Sequence, residues 1–169
     1  GIRMFPGRQK GLLDDPKTTG DANSEITALS NTKFLVDERD GNFEPFANKT
    51  LYEVDINGAT NIDGLTINGK SPEAFIGTDT TNQAQAALTA AGVQVAEKQP
   101  YLQVGQLLSQ LDPNGTLFGH DKIEGVATSD GGKTLYLSND NDFGIDTIVV
   151  DPDGTWTVHQ KTLPATGQT

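Results

Sequence analysis

A repeated hairpin constrains this chain more than any other feature. Glu25-Ile26-Thr27-Ala28 lies over Glu124-Gly125-Val126-Ala127, and a turn ending in Lys33 lies over one ending in Lys133. Phe34-Leu35-Val36-Asp37-Glu38-Arg39-Asp40 then lies over Leu135-Tyr136-Leu137-Ser138-Asn139-Asp140-Asn141. Each unit is a glutamate, a short strand, a turn, a second strand and a polar cluster. In KFLVDERD, Phe34 and Val36 share one face and Leu35 takes the other. The run TLYEVDING continues the first unit, with Tyr52, Val54 and Ile56 alternating against Leu51, Glu53 and Asp55 up to an Asn-Gly turn. IDTIVVD and TWTVHQK, separated by the turn DPDG, complete the second.

Between the units the pattern changes. NQAQAALTAAG is rich in alanine, and Val104, Leu107, Leu108 and Leu111 follow the spacing of an amphipathic helix stopped by DPNG. The expected architecture is therefore mainly β: about two four-stranded antiparallel blades of a β-propeller, at about 24–60 and 120–161, with a helical insertion at about 70–116 and a tail at 162–169. A propeller closes with roughly 4–8 blades, because fewer leave sheet edges and faces uncovered. The chain thus reads as a fragment of a larger closed propeller, whose remaining blades lie on another or a missing polypeptide. The thin supply of apolar residues, 34% of the total, suits strands that expect neighbours.

Charge narrows the partners. Twelve Lys and Arg against 23 Asp and Glu leave a net charge of −11, which offers no electrostatic footprint for nucleic acid or anionic lipid. No stretch approaches the ~20 consecutive apolar residues of a membrane helix, so neither nucleic acid nor membrane is expected as a partner. The absence of cysteine removes disulfides, thiolate zinc sites and cysteine nucleophiles from this chain. Aspartates beside Gly and Asn in loops carry short oxygen ligands of the kind hard cations prefer.

The segments KFLVDERDGNF, TLYEVDINGATNI and above all HDKIEGVATSDGGKTLYLSNDNDFGI resemble the phytase-like family, also described as the esterase-like activity of phytase domain. The likeness runs over most of residues 24–150 and covers the C-terminal part of that family's domain. These are secreted bacterial propeller proteins, so the resemblance implies a propeller fold, an extracytoplasmic location, extending to the cell surface, and hydrolysis of phosphoesters or phosphodiesters in a small phosphorylated substrate. The alternative is a non-catalytic extracellular or surface binding propeller with structural calcium.

Within that frame the residues suggest particular chemistry. Glu25 and Glu124 stand at equivalent points of the two units, and a calcium ion between them would keep both ionised. Asn139, Asp140 and Asp142 add the mixture of neutral and anionic oxygens that calcium accepts. The competing reading makes Glu124 blade glue and SNDND a solvated turn. Arg39, with Glu38 beside it, occupies the position equivalent to the Asn-Asp cluster, where a guanidinium would clamp a phosphate through paired hydrogen bonds. More simply, Arg39 pairs with Glu38, Asp40 or a carboxylate of the next blade. His120 and Lys122 flank the Ile-Glu-Gly strand, His120 as a proton donor to a leaving oxygen or as a surface histidine, Lys122 as a second contact to substrate. DGG at 130–132 and DPDG at 151–154 read as hairpin turns rather than calcium loops. LPATG at 163–167 matches a sortase anchoring pattern but reads better as a Pro/Gly turn, because only Gln168 and Thr169 follow it.

Overall fold

The computed structural model describes residues 22–42, 48–77, 81–111, 122–140 and 142–160. Eight strands and three short helices follow in the order β1 (Ala22–Ala28), β2 (Lys33–Arg39), β3 (Lys49–Asp55), α1 (Pro72–Ile76), α2 (Thr81–Ala90), β4 (Glu97–Gln103), α3 (Val104–Leu111), β5 (Ile123–Ala127), β6 (Tyr136–Asn139), β7 (Ile145–Val150) and β8 (Trp156–Gln160). β1 to β4 form one antiparallel sheet in sequential order, while β5–β6 and β7–β8 are separate antiparallel hairpins. The protein is mainly β, its described sheets are open, and the arrangement is consistent with part of a propeller.

Short polar side chains fix the turns. Between β1 and β2 the Ser30 hydroxyl accepts the Lys33 N–H at 3.1 Å, and the Leu29 N–H donates to the Lys33 carbonyl at 2.9 Å. In the β5–β6 turn Asp130 accepts the Thr134 N–H at 2.8 Å, and in the β7–β8 turn Asp153 accepts the Thr155 N–H at 2.9 Å. Hydrogen bonds from Thr134 and Thr155, respectively, hold these two carboxyls below their ordinary range. DGG and DPDG are thus hairpin turns closed by their own aspartates.

The residues between the units differ from a purely helical insertion. α2 and α3 form where alanine content and apolar spacing predict them. Between them, however, EKQPYLQ pairs antiparallel with β3 as the outer strand β4. Nothing in its composition announces a strand, and Pro100 is tolerated because, among the described residues, β4 has a neighbour on one side only. The second unit also differs from a continuous blade, since β6 and β7 do not pair among the described residues.

The two faces of the first sheet have different fates. Leu35 and Leu51 lie on one face and pack with Val104 of α3 and Ile123 and Val126 of β5, with Leu29, Leu102, Leu108 and Leu135 at the margin. Val104 and Leu108 thus account for the buried stripe of α3, whereas Leu111 is largely exposed. Val36 and Val54 lie on the other face, against Ala59 and Ala96. A third cluster packs Leu88 of α2 against Ile62 and Ile67, which precede α1, and Val93, which follows α2. The β5–β6 hairpin therefore sits over the Leu35 face, and its inner strand runs beside β1: the Thr27 hydroxyl donates to the Val126 carbonyl across the gap.

Candidate functional site

The strand alternation of β2 distributes its charged residues between two environments. Leu35, Asp37 and Arg39 point to the face covered by β5; Phe34, Val36 and Glu38 point to the other. Glu25 of β1 is the cross-strand partner of Asp37, and Lys49 of β3 is the partner of Arg39. Where β1, β2, β3 and β5 come together, two carboxyls, a guanidinium and an ammonium share one face of the sheet.

Arg39 spans the junction. Its Nε donates to Ser24 Oγ at 2.9 Å, and its Nη2 pairs with Glu124 of β5. Lys49 is wholly buried; its Nζ donates to the Asn42 carbonyl at 2.9 Å and lies 3.6 Å from Asp40. Asp37, 1% exposed, has no hydrogen-bond partner for either carboxylate oxygen. Burial pushes its carboxyl up from 3.8 to about 7, against the opposing pull of Arg39 and Lys49 and with a further push from Glu25 and Glu38. A carboxyl so placed is poised to change charge near neutrality.

On the opposite face, Glu38 is 4% exposed and paired with Lys98 of β4, whose ammonium also stands 4.3 Å from the Tyr52 ring centroid. Glu38 and Arg39 are adjacent in sequence but separated by the thickness of the sheet.

The comparison with known families agrees with this architecture. The family model described as phytase-like, esterase-like activity of phytase, matches residues 8–143, most of the chain. The chain belongs to the phytase-like family. No curated protein and no solved structure matches it. The family match ends just before β7, so the β7–β8 hairpin of this phytase-like chain lies beyond it.

The residues expected to act in this family member fall into several places. Arg39 and Glu124 meet. Glu25 shares the junction and accepts the Ile26 N–H at 2.8 Å. Asn139 is exposed at the end of β6, and Asp140 follows it, 3.8 Å from Lys122 Nζ. Asp142 begins a short 3-10 turn at Asp142–Gly144, and its side chain lies outside the described residues, as does His120. For calcium the described donors do not fit: Glu124 is engaged by Arg39, Asp140 faces Lys122, and no three His, Asp or Glu side chains among the described residues gather around a point. The residues that sequence reasoning passed over are Asp37, Lys49 and Lys98. Asp37 carried a signal, because it continues the buried Leu35 face at the strand period of two.

Proposed function

We propose that this phytase-like chain is part of a secreted propeller that hydrolyses phosphate esters, with Arg39 as the group that receives the substrate phosphate. The observation that carries the reading is the position of Arg39 at the meeting of β1, β2 and β5, in a chain of this family. The guanidinium already holds an anionic oxygen of Glu124, and a phosphate presents the same fork of acceptors with more charge. In this reading the phosphate displaces Glu124, which is about one third exposed and so is readily solvated when released. The freed carboxylate then accepts a proton from the attacking water, Lys122 adds positive charge beside β5, and His120 protonates the leaving oxygen. Glu38, occupied by Lys98 on the far face, takes no part. No step passes through a cation.

The remaining sheets of the propeller are supplied by further polypeptide. The β7–β8 hairpin favours this: Ile148, Val150, Trp156 and Val158 share one face by register, and all four are exposed. A two-stranded hairpin with an uncovered apolar face is marginal by itself and gains stability from a sheet laid over it.

A second reading, a binding propeller without catalysis, is favoured by the Arg39–Glu124 pair itself, which ties two sheets together without any substrate. Hydrolysis of a panel of phosphomonoesters and phosphodiesters by the complete protein separates the two. Turnover that falls in Arg39→Lys and Glu124→Gln, with folding retained, supports the hydrolase. Absence of turnover on every ester, or turnover indifferent to both substitutions, overturns it.

A further inference from the structure

The Arg39–Glu124 bridge has a competitor beneath it. Asp37 lies two residues before Arg39 on the same face of β2, so the two side chains emerge side by side. Its two oxygens are buried and without a hydrogen bond, a condition that costs free energy in either protonation state and far more when the group is charged. Every charged group packed around it is already occupied or of the wrong sign. From β1 comes Glu25, its direct cross-strand partner; from β2, Glu38 on the far face and Arg39; from β3, Lys49, held by Asn42 and Asp40; from β5, Glu124, held by Arg39. α3, which packs on the same core, brings no charged residue.

We propose that Asp37 is a proton-operated switch on the bridge between the first sheet and the β5–β6 hairpin: protonated, it leaves Arg39 with Glu124; ionised, it draws Arg39 to itself and opens the bridge. The asymmetry of exposure sets the direction. An ionised Asp37 has no access to water, whereas a Glu124 released from Arg39 is partly exposed and regains hydration. Arg39 is the mobile partner because its neighbour Lys49 is wholly buried and bound to a backbone carbonyl. Burial places the Asp37 transition near neutrality, so the bridge opens within an ordinary environmental range. The switch requires no catalytic role of Arg39 or Glu124.

The test follows the bridge directly. In the full chain, the Asp37 carboxyl carbon and the Arg39 Nε resonance are titrated by NMR, and amide exchange is measured along Ile123–Ala127 at about pH 5.5 and about pH 8.5, corrected for intrinsic rates. The Arg39 signal is expected to move with the Asp37 midpoint. β5 protection is expected to fall by about tenfold at the higher pH, the size of one lost charged hydrogen bond. In Asp37→Asn, which cannot ionise, protection is expected to stay constant, and in Glu124→Gln to be low at both pH values. An Arg39 signal that stays still while Asp37 titrates overturns the proposal, as does equal β5 protection at the two pH values. The wild-type titration decides the matter even where Asp37→Asn fails to fold.

Discussion

Arg39 and Glu124, 85 residues apart in sequence, meet as an ion pair between β2 and β5 and tie the first sheet to the hairpin laid over it. The pair is partly buried, so removing one partner strands the other in a poorly solvated place. Arg39→Met is expected to cost about 1–3 kcal/mol of stability. A double-mutant cycle with Glu124→Gln in urea denaturation should return most of that cost as coupling. A coupling energy near zero would show that the contact contributes nothing.

A second expectation concerns pH. Asp37 has a folded value raised from 3.8 to about 7, so the folded state holds a proton that the unfolded state releases. Its contribution is fully present below about pH 3.8 and is lost as pH rises through about 7. The difference amounts to about 4 kcal/mol at about 1.4 kcal/mol per pH unit. Urea midpoints measured across this range should fall with rising pH in the wild type and flatten in Asp37→Asn. Equal slopes in the two proteins would remove Asp37 as the cause.

Much of the β framework was legible in the sequence. β2, β3, β5, β7 and β8 combine alternation with turn residues whose side chains close the hairpins. Glu25 and Glu124 mark equivalent points of the repeat, and the strands that carry them, β1 and β5, touch through the Thr27 hydroxyl and the Val126 carbonyl. β4 was not legible: EKQPYLQ is polar, carries a proline and owes its strand form to pairing with β3. The site was half legible. The repeat admits a carboxylate of the next unit as a partner for Arg39, but the charge of a side chain does not by itself give its depth. Lys49 and Lys98 read as solvated polar residues until the covering elements are in place, whereas the strand period of two sets Asp37 on the buried face of Leu35.

The Glu38–Lys98 pair gives a third expectation. Both groups are almost fully buried, and the ammonium also rests over Tyr52. Lys98→Ala leaves Glu38 buried without its cation and is expected to cost about 3–5 kcal/mol. Replacing both residues by apolar ones of similar volume should recover most of the loss. Thermal melting of the single and double variants checks this, and a single variant as stable as the wild type would contradict the burial.

Gly132 supplies a fourth. Its φ of +93° is strained for other residues, and an added Cβ would stand 2.9 Å from Leu29 Cδ2. Its carbonyl also accepts the Tyr101 hydroxyl at 3.2 Å, so this turn is pinned to the first sheet. Gly132→Ala is expected to destabilise by about 1–3 kcal/mol. An unchanged urea midpoint would refute the fit.

Trp156, the chain's one tryptophan, reports on the uncovered hairpin. It is 68% exposed, so its emission should be red-shifted and quenched by acrylamide, and should shift to the blue once a covering sheet is present. A blue, protected emission from the isolated chain would mean that the hairpin face is already covered.

The outer strand β4 carries the exposed Glu97 and Pro100, and proline gives no N–H to a neighbour. A chain with exposed apolar strands elsewhere would be prone to runaway fibre growth if this rim were also open. With this rim blunted and β5 laid over one face, strands add less readily to the β4 side of the first sheet.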